Sequence, residues 1–82
     1  MNEVELLSYL IKNILGHENF KIKEEISNKI NYTVTLNKKD FGKVVGKNGK
    51  IADAIKEIFK NLNNVKKRVY IKFKIEDLGI NE

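Results

Sequence analysis

Apolar residues along this chain fall into stretches of helical spacing and stretches of strict alternation. Val4, Leu7, Ile11, Ile14 and Leu15 recur at the three- and four-residue intervals of one helix face, widened by Leu6 and Leu10. Gly16 stands where a left-handed residue would end that helix. Phe20, Ile22 and Ile26 then alternate with Lys21, Lys23 and Glu25, with Glu24 the one polar residue on the apolar face, which predicts a strand. Ser27-Asn28-Lys29 is a short polar turn. Beyond it Ile30, Tyr32, Val34 and Leu36 alternate with Asn31, Thr33 and Thr35, a second strand joined to the first by a tight hairpin.

At Asn37 the period changes. Asn is a favoured N-cap, Asp40 follows at capping-box spacing, and Phe41, Val44 and Val45 give a short helical face. Gly46-Lys47-Asn48-Gly49 interrupts it. Ile51, Ala52, Ile55, Ile58, Phe59 and Leu62 then form one stripe of a longer amphipathic helix, ended by Asn63-Asn64. Val69, Ile71, Phe73 and Ile75 alternate with Arg68, Tyr70, Lys72 and Lys74, a third strand whose outer face is basic and partly aromatic. Glu76 to Glu82 reads as a frayed acidic tail. Three one-sided strands need a cover and three striped helices need a sheet, so the pattern predicts a two-layer α+β sandwich. The link from the second strand to the third is long enough for a right-handed parallel crossover, which makes the three-stranded sheet mixed.

Composition narrows the class. At 82 residues there is room for one core, and the whole chain, 1–82, is expected to form a single domain with an ordered core over 4–75. An apolar fraction of 41% argues against disorder, and the absence of Cys excludes a disulfide scaffold and thiolate chemistry. No apolar run approaches the roughly 20 residues of a membrane span. The acidic start Met1-Asn2-Glu3-Val4-Glu5 argues against a signal peptide, which leaves the compartment unspecified while fitting the cytosol. The net charge of +5 is local: residues 38–50 hold Lys38, Lys39, Lys43, Lys47 and Lys50 against Asp40 alone. Such a cluster points to a polyanionic partner.

That cluster surrounds the most informative segment, Phe41 to Ile55. Two glycines three apart that open directly into a helix let the backbone turn sharply and approach a ligand closely. The N-terminus of the helix presents unpaired N–H groups where the macrodipole favours phosphate, and Lys47 and Lys50 flank it. A Walker loop would need Gly-Lys-Ser/Thr, and no hydroxyl follows Gly49-Lys50; the dinucleotide fingerprint would need a third glycine and a preceding strand. The plain alternative is a helix–helix turn without a ligand.

The apolar pair Val44-Val45, then Gly46-Lys47-Asn48-Gly49, then Ile51 with Ala54-Ile55, set between two helices after a hairpin, resembles the signature of the KH family of RNA-binding domains. The helix-strand-strand start is similar to the type II topology. Asp40 to Ile55, with Lys66-Lys67-Arg68-Val69 leading into the last strand, resembles the KhpA family of small bacterial KH proteins. The resemblance implies cytoplasmic binding of single-stranded RNA, with about four nucleotides held at the glycine loop. By position it assigns RNA contact to Gly46, Lys47, Asn48 and Gly49, with Val44 and Val45 before them, Ile51 after, and Lys43 and Lys50 as the nearest cations. It also implies a homodimer or a heterodimer with a larger KhpB/Jag-type protein, and a regulatory or RNA-chaperone role linked to cell elongation and division. Lys38 stands where the family usually has Pro, so capping falls to Asn37, and Lys50 replaces a common Arg, giving a point charge in place of a bidentate fork.

The remaining chemistry is sparse. His17, the one histidine, has no second ligand for a metal and reads as a surface residue. Lys21, Lys23, Lys72 and Lys74 read as a solvated strand face that could also extend an RNA path, and Tyr70 as a rim residue. Tyr9 and Tyr32 are expected to be partly buried. No nucleophile–base set, no metal set and no cofactor motif is present, so neither an enzyme nor a small-molecule substrate is indicated. The rival to RNA binding is a dimerising interaction module, which outward-facing Phe59 or Leu62 would favour. A membrane-surface role fits less well, since the helices mix acids with lysines and carry no Trp.

Overall fold

The computed structural model describes residues 2–62 and 68–78. Along the chain run α1 (Glu3–Leu15), β1 (Lys21–Ile26), β2 (Ile30–Leu36), α2 (Lys38–Val45), α3 (Lys50–Leu62) and β3 (Val69–Ile75), with a single 3₁₀ turn at Lys47–Gly49 between α2 and α3. β2 is the central strand, antiparallel to β1 and parallel to β3. This is the α+β, type II KH arrangement expected from the sequence, with a mixed sheet and three helices. Asn63-Asn64 and the side chain of Leu62 lie outside the described residues. Among the described residues no helix is long and apolar enough to cross a membrane.

α1 begins one residue before its apolar stripe because Asn2 and Glu5 form a capping box. The Glu5 N–H donates to Asn2 Oδ1 at 2.8 Å and the Asn2 N–H donates to Glu5 Oε1 at 3.1 Å. Its end is where the sequence placed it: Gly16 is left-handed at φ 81° and its N–H bonds the Lys12 carbonyl at 2.7 Å. The buried stripe Leu7, Ile11 and Leu15 joins Ile30, Tyr32, Val34 and Leu36 of β2, Val44 of α2, Ile55 and Phe59 of α3 and Ile71 of β3 in one core. Phe59 meets Tyr32 edge-on, with ring centroids 6.2 Å apart.

β1 is the thinnest part of the sandwich. Ile22 is half-buried, but Ile26, at the hairpin end of this edge strand, is exposed in spite of its alternation. Glu24, the polar exception on the apolar face, lies opposite Tyr32 in the ladder, within reach of its phenol. Tyr32 is fully buried and so goes deeper than expected, whereas Tyr9 is exposed.

The local signals around α2 are used differently from the sequence expectation. Asn37 occupies the N-cap position and its carbonyl accepts from the N–H groups of Asp40 and Phe41, but its side chain makes no capping bond. Instead Asn37 Oδ1 accepts from the Leu78 N–H at 2.8 Å. Asp40 closes no capping box either. It is 2% exposed, with Oδ2 3.2 Å from His17 Nε2. His17 Nδ1 accepts from the Asn19 N–H at 3.0 Å, so Nε2 carries a proton and donates to the carboxylate. His17 is therefore a partly buried tie between the end of α1 and the start of α2, not a free surface residue. The start of the tail is also held: the Glu76 N–H donates to the Leu36 carbonyl at 2.9 Å, and Leu78 is the partner of Asn37.

Burial pushes the Tyr32 phenol well above its usual range, with the Glu3 and Glu24 carboxylates adding to the effect. The unfolded chain ionises this group at about pH 10 while the fold keeps it neutral, so the stability involved is intact below about pH 10 and is lost as the pH rises beyond it. Tyr32→Phe removes this loss. In urea unfolding, the stability difference between the variant and the wild type should be flat below pH 10 and should then shift in favour of Phe by up to about 1.4 kcal/mol per pH unit. Parallel alkaline profiles for the two proteins would contradict the burial of this hydroxyl.

Candidate nucleic-acid interface

α2 ends because Gly46 adopts φ 78° and ψ 176°, a region open essentially to glycine alone. Its N–H closes the last turn on the Gly42 carbonyl at 3.0 Å. The chain then makes one tight turn, in which the Gly49 N–H bonds the Gly46 carbonyl at 3.2 Å and the Lys50 N–H bonds that of Lys47. Asn48 is left-handed at φ 58°, which Asn tolerates better than most residues, and Gly49 follows at φ 73°.

The two glycines are required for different reasons. A β-carbon at Gly46 would lie 2.7 Å from Cγ1 and 2.9 Å from Cδ1 of Ile51, so this position is constrained by contact as well as by φ. A β-carbon at Gly49 would meet nothing within 4 Å, so only its backbone angle calls for glycine, and the space above it is open.

That open space is one end of a groove of about 640 Å³. Phe41 and Val45 of α2, Gly49, and Ala52, Asp53 and Lys56 of α3 line one side; Tyr32, Tyr70, Ile71 and Phe73 are among the strand residues on the other. Of the nine positions singled out from the sequence, Val45 and Gly49 line this groove. Lys43, Lys47, Asn48 and Lys50 are exposed on α2, the turn and the first residue of α3. Ile51 is 39% exposed and covers Gly46. Val44 is fully buried in the core, so it supports the loop from below and offers no face to a ligand. The wall formed by Phe41, Ala52, Asp53 and Lys56 is not among those nine positions. Its signal lies within each helix, in the four-residue spacing of Phe41 and Val45 on α2 and the three- to four-residue spacing of Ala52, Asp53 and Lys56 on α3; the non-helical turn between them breaks the period.

The electrostatics are more one-sided than the sequence count. All five lysines of residues 38–50 are exposed, while Asp40, the one acid in that stretch, faces inward to His17. None of the five is in an ion pair with a described residue. The groove itself carries two carboxylates, Asp53 and Glu25, which oppose phosphate there and favour hydrogen-bond donors such as exocyclic amines of bases. Among the described residues no group of three His, Asp or Glu side chains is placed to hold a metal.

The glycines can be ranked by substitution. Gly49→Ala should cost about 1–2 kcal/mol from its backbone angle. Gly46→Ala should cost more, since the clash with Ile51 adds to the angle. Gly42→Ala, inside α2 with open space around it, should stabilise by about 0.5–1 kcal/mol. Urea unfolding of the three variants checks the order, and equal costs at Gly46 and Gly49 would remove the Ile51 contact as a constraint.

Two comparisons with known proteins bear on this geometry. The family described as "KhpA/KhpB, KH domain" matches residues 4–75, which contain the loop and the whole groove. The RNA-binding protein KhpA of Oceanobacillus iheyensis is 40% identical over 50 residues, covering 60% of this chain and 67% of that protein. No solved structure matches the chain. With its element order, its glycine loop and a match over nearly its full length, this chain belongs to the KhpA/KhpB family of KH domains.

Proposed function

We propose that the chain binds single-stranded RNA at the Gly46-Lys47-Asn48-Gly49 loop without catalysing a reaction. The observation that carries this reading is the cluster of five exposed lysines around an open glycine turn at the mouth of a part-apolar groove, with Asp40, the one acid of residues 38–50, turned inward. The phosphates sit at the start of α3, where the helix dipole and the side chains of Lys43, Lys47 and Lys50 favour negative charge. The Gly46 N–H is spent on the Gly42 carbonyl of α2 and those of Gly49 and Lys50 on bonds within the turn, so Lys47 and Asn48 supply the amides for phosphate. Bases lie in the groove against Val45, Ala52 and Phe73, and about four nucleotides fill it. Membership of the family and the likeness to the RNA-binding protein KhpA of Oceanobacillus support the choice of RNA. The role is that of a cytoplasmic post-transcriptional regulator or RNA chaperone linked to cell elongation and division.

Because Asp, like Asn, tolerates the left-handed region, the combined change Lys47→Asp and Asn48→Asp reverses the charge without breaking the turn. Its affinity for a labelled single-stranded RNA should fall by roughly tenfold to a hundredfold while circular dichroism stays unchanged. Wild-type binding should weaken with salt at a logarithmic slope of about −2, as expected for three lysine–phosphate contacts on a single strand. Unchanged affinity in the folded variant would remove the loop as the site.

A second reading concerns partners. Phe59, which could have marked an interface, is fully buried against Tyr32. Ile51 and Ile58, seven residues apart on α3, are 39% and 41% exposed and share one side of the helix. We propose that this stripe mediates pairing, with a second copy or with a KhpB/Jag-type protein. Sedimentation at micromolar concentration should show a dimer that Ile58→Glu returns to monomer. A strictly monomeric wild type would exclude the homodimer.

A further inference from the structure

Strand register places four lysines on the face of the sheet turned away from the helices. The pairing of β1 with β2 sets Lys21 opposite Thr35 and Lys23 opposite Thr33; that of β2 with β3 sets Thr35 beside Lys74 and Thr33 beside Lys72. The outer face is therefore ruled by two rows, Lys21–Thr35–Lys74 and Lys23–Thr33–Lys72. The rows are two residues apart along the strands, about 7 Å, and the lysines of a row are two strands apart, about 10 Å. All four are exposed, and none is ion-paired with a described residue. Lysines on edge strands also guard against strand-to-strand aggregation, which would explain their presence but not what adjoins them.

What adjoins them is the groove. Its lining includes Ile71 and Phe73, whose side chains belong to the inner face of β3, together with Tyr70 and Lys72 of the outer face and Thr33 between the lysines. β3 is an edge strand, so a cavity that touches both of its faces passes round its free edge. At that corner Tyr70 is 45% exposed, and the Lys29 ammonium lies 5.3 Å from its ring centroid, which places a cation beside an aromatic surface on which a base can stack. The acids beside these rows are Glu25, in the adjoining row Glu25–Asn31–Tyr70, and Glu76, two residues beyond Lys74; the two lysine rows contain none.

We propose that the outer face of the sheet is a second RNA surface. On this reading, which rests on the glycine loop as the first site, a single strand leaving the loop turns over the β3 edge at Tyr70 and runs across Lys72, Lys74, Lys23 and Lys21. The full footprint is then roughly twice the four nucleotides that the groove alone can hold.

The test compares a labelled single-stranded RNA pentanucleotide with a dodecanucleotide by fluorescence anisotropy. The variants are Lys23→Glu with Lys74→Glu, neither of which lines the groove, the same positions changed to Gln in case charge reversal disturbs the edge strands, and Lys47→Asp with Asn48→Asp. The sheet variants should weaken dodecanucleotide binding about tenfold for Glu, and less for Gln, with a shallower salt dependence, and leave pentanucleotide binding within about twofold. Equal losses for both lengths, or no loss for either, would overturn the second surface. Failure of the loop reading shows separately, as pentanucleotide binding that the loop variant leaves unchanged.

Discussion

The contact of Ile51 with the bare α-carbon of Gly46 is the constraint from which the interface follows. It lets α3 start within van der Waals reach of the point where α2 stops, so the two helices act as one wall with a single tight turn between them. Phe41 and Val45 of α2 and Ala52, Asp53 and Lys56 of α3 then line one side of the groove together, and Lys47 and Asn48 of the turn between them are left exposed. Beneath the turn, Val44 and Ile55 drive the wall into the core, and the edge-on contact of Phe59 with Tyr32 fixes α3 on the central strand. A β-carbon at Gly46 would push this assembly apart at its hinge, whereas one at Gly49 would act on backbone angle alone.

Charge is sorted by the same framework. A cluster of lysines attracts polyanions only as far as neighbouring acids leave its field intact. Asp40 is taken out of the surface by the His17 Nε2–H donor, which joins the end of α1 to the first turn of α2. The tie serves structure and electrostatics together: it anchors the helix that carries Lys38, Lys39 and Lys43, and it leaves their side of that helix without a local negative charge. Asn37 makes a comparable tie on the other flank, where its amide oxygen holds the segment that follows β3.

What was legible in the sequence was whatever depends on neighbours along the chain. The hairpin follows from period-two alternation on both sides of a three-residue polar turn, and α1 ends at Gly16 because a left-handed residue is needed there. Asn37 and Asp40 were misread for the converse reason. Both have side chains suited to local capping, and both are claimed by partners distant in sequence, Leu78 and His17, that no local pattern announces. Ile26 shows the limit of alternation, which assigns a face but not whether anything covers it. Val44 and Val45 look equivalent beside the loop, yet the helical phase sends one into the core and the other to the groove. The lysine rows needed the strand order itself, since only a central β2 brings Lys21 and Lys74 to either side of Thr35.

The central claim is that a single strand of RNA is held by the turn and the wall it creates. The most direct measurement is an amide NMR titration of the ¹⁵N-labelled protein with a short single-stranded RNA, since each peptide of the loop reports for itself. The account predicts the largest shifts at Gly46 to Lys50 and along Val45 and Ala52, with Leu7 and Ile11 of α1 unmoved. Shifts centred on α1, or none at saturating RNA, would contradict it.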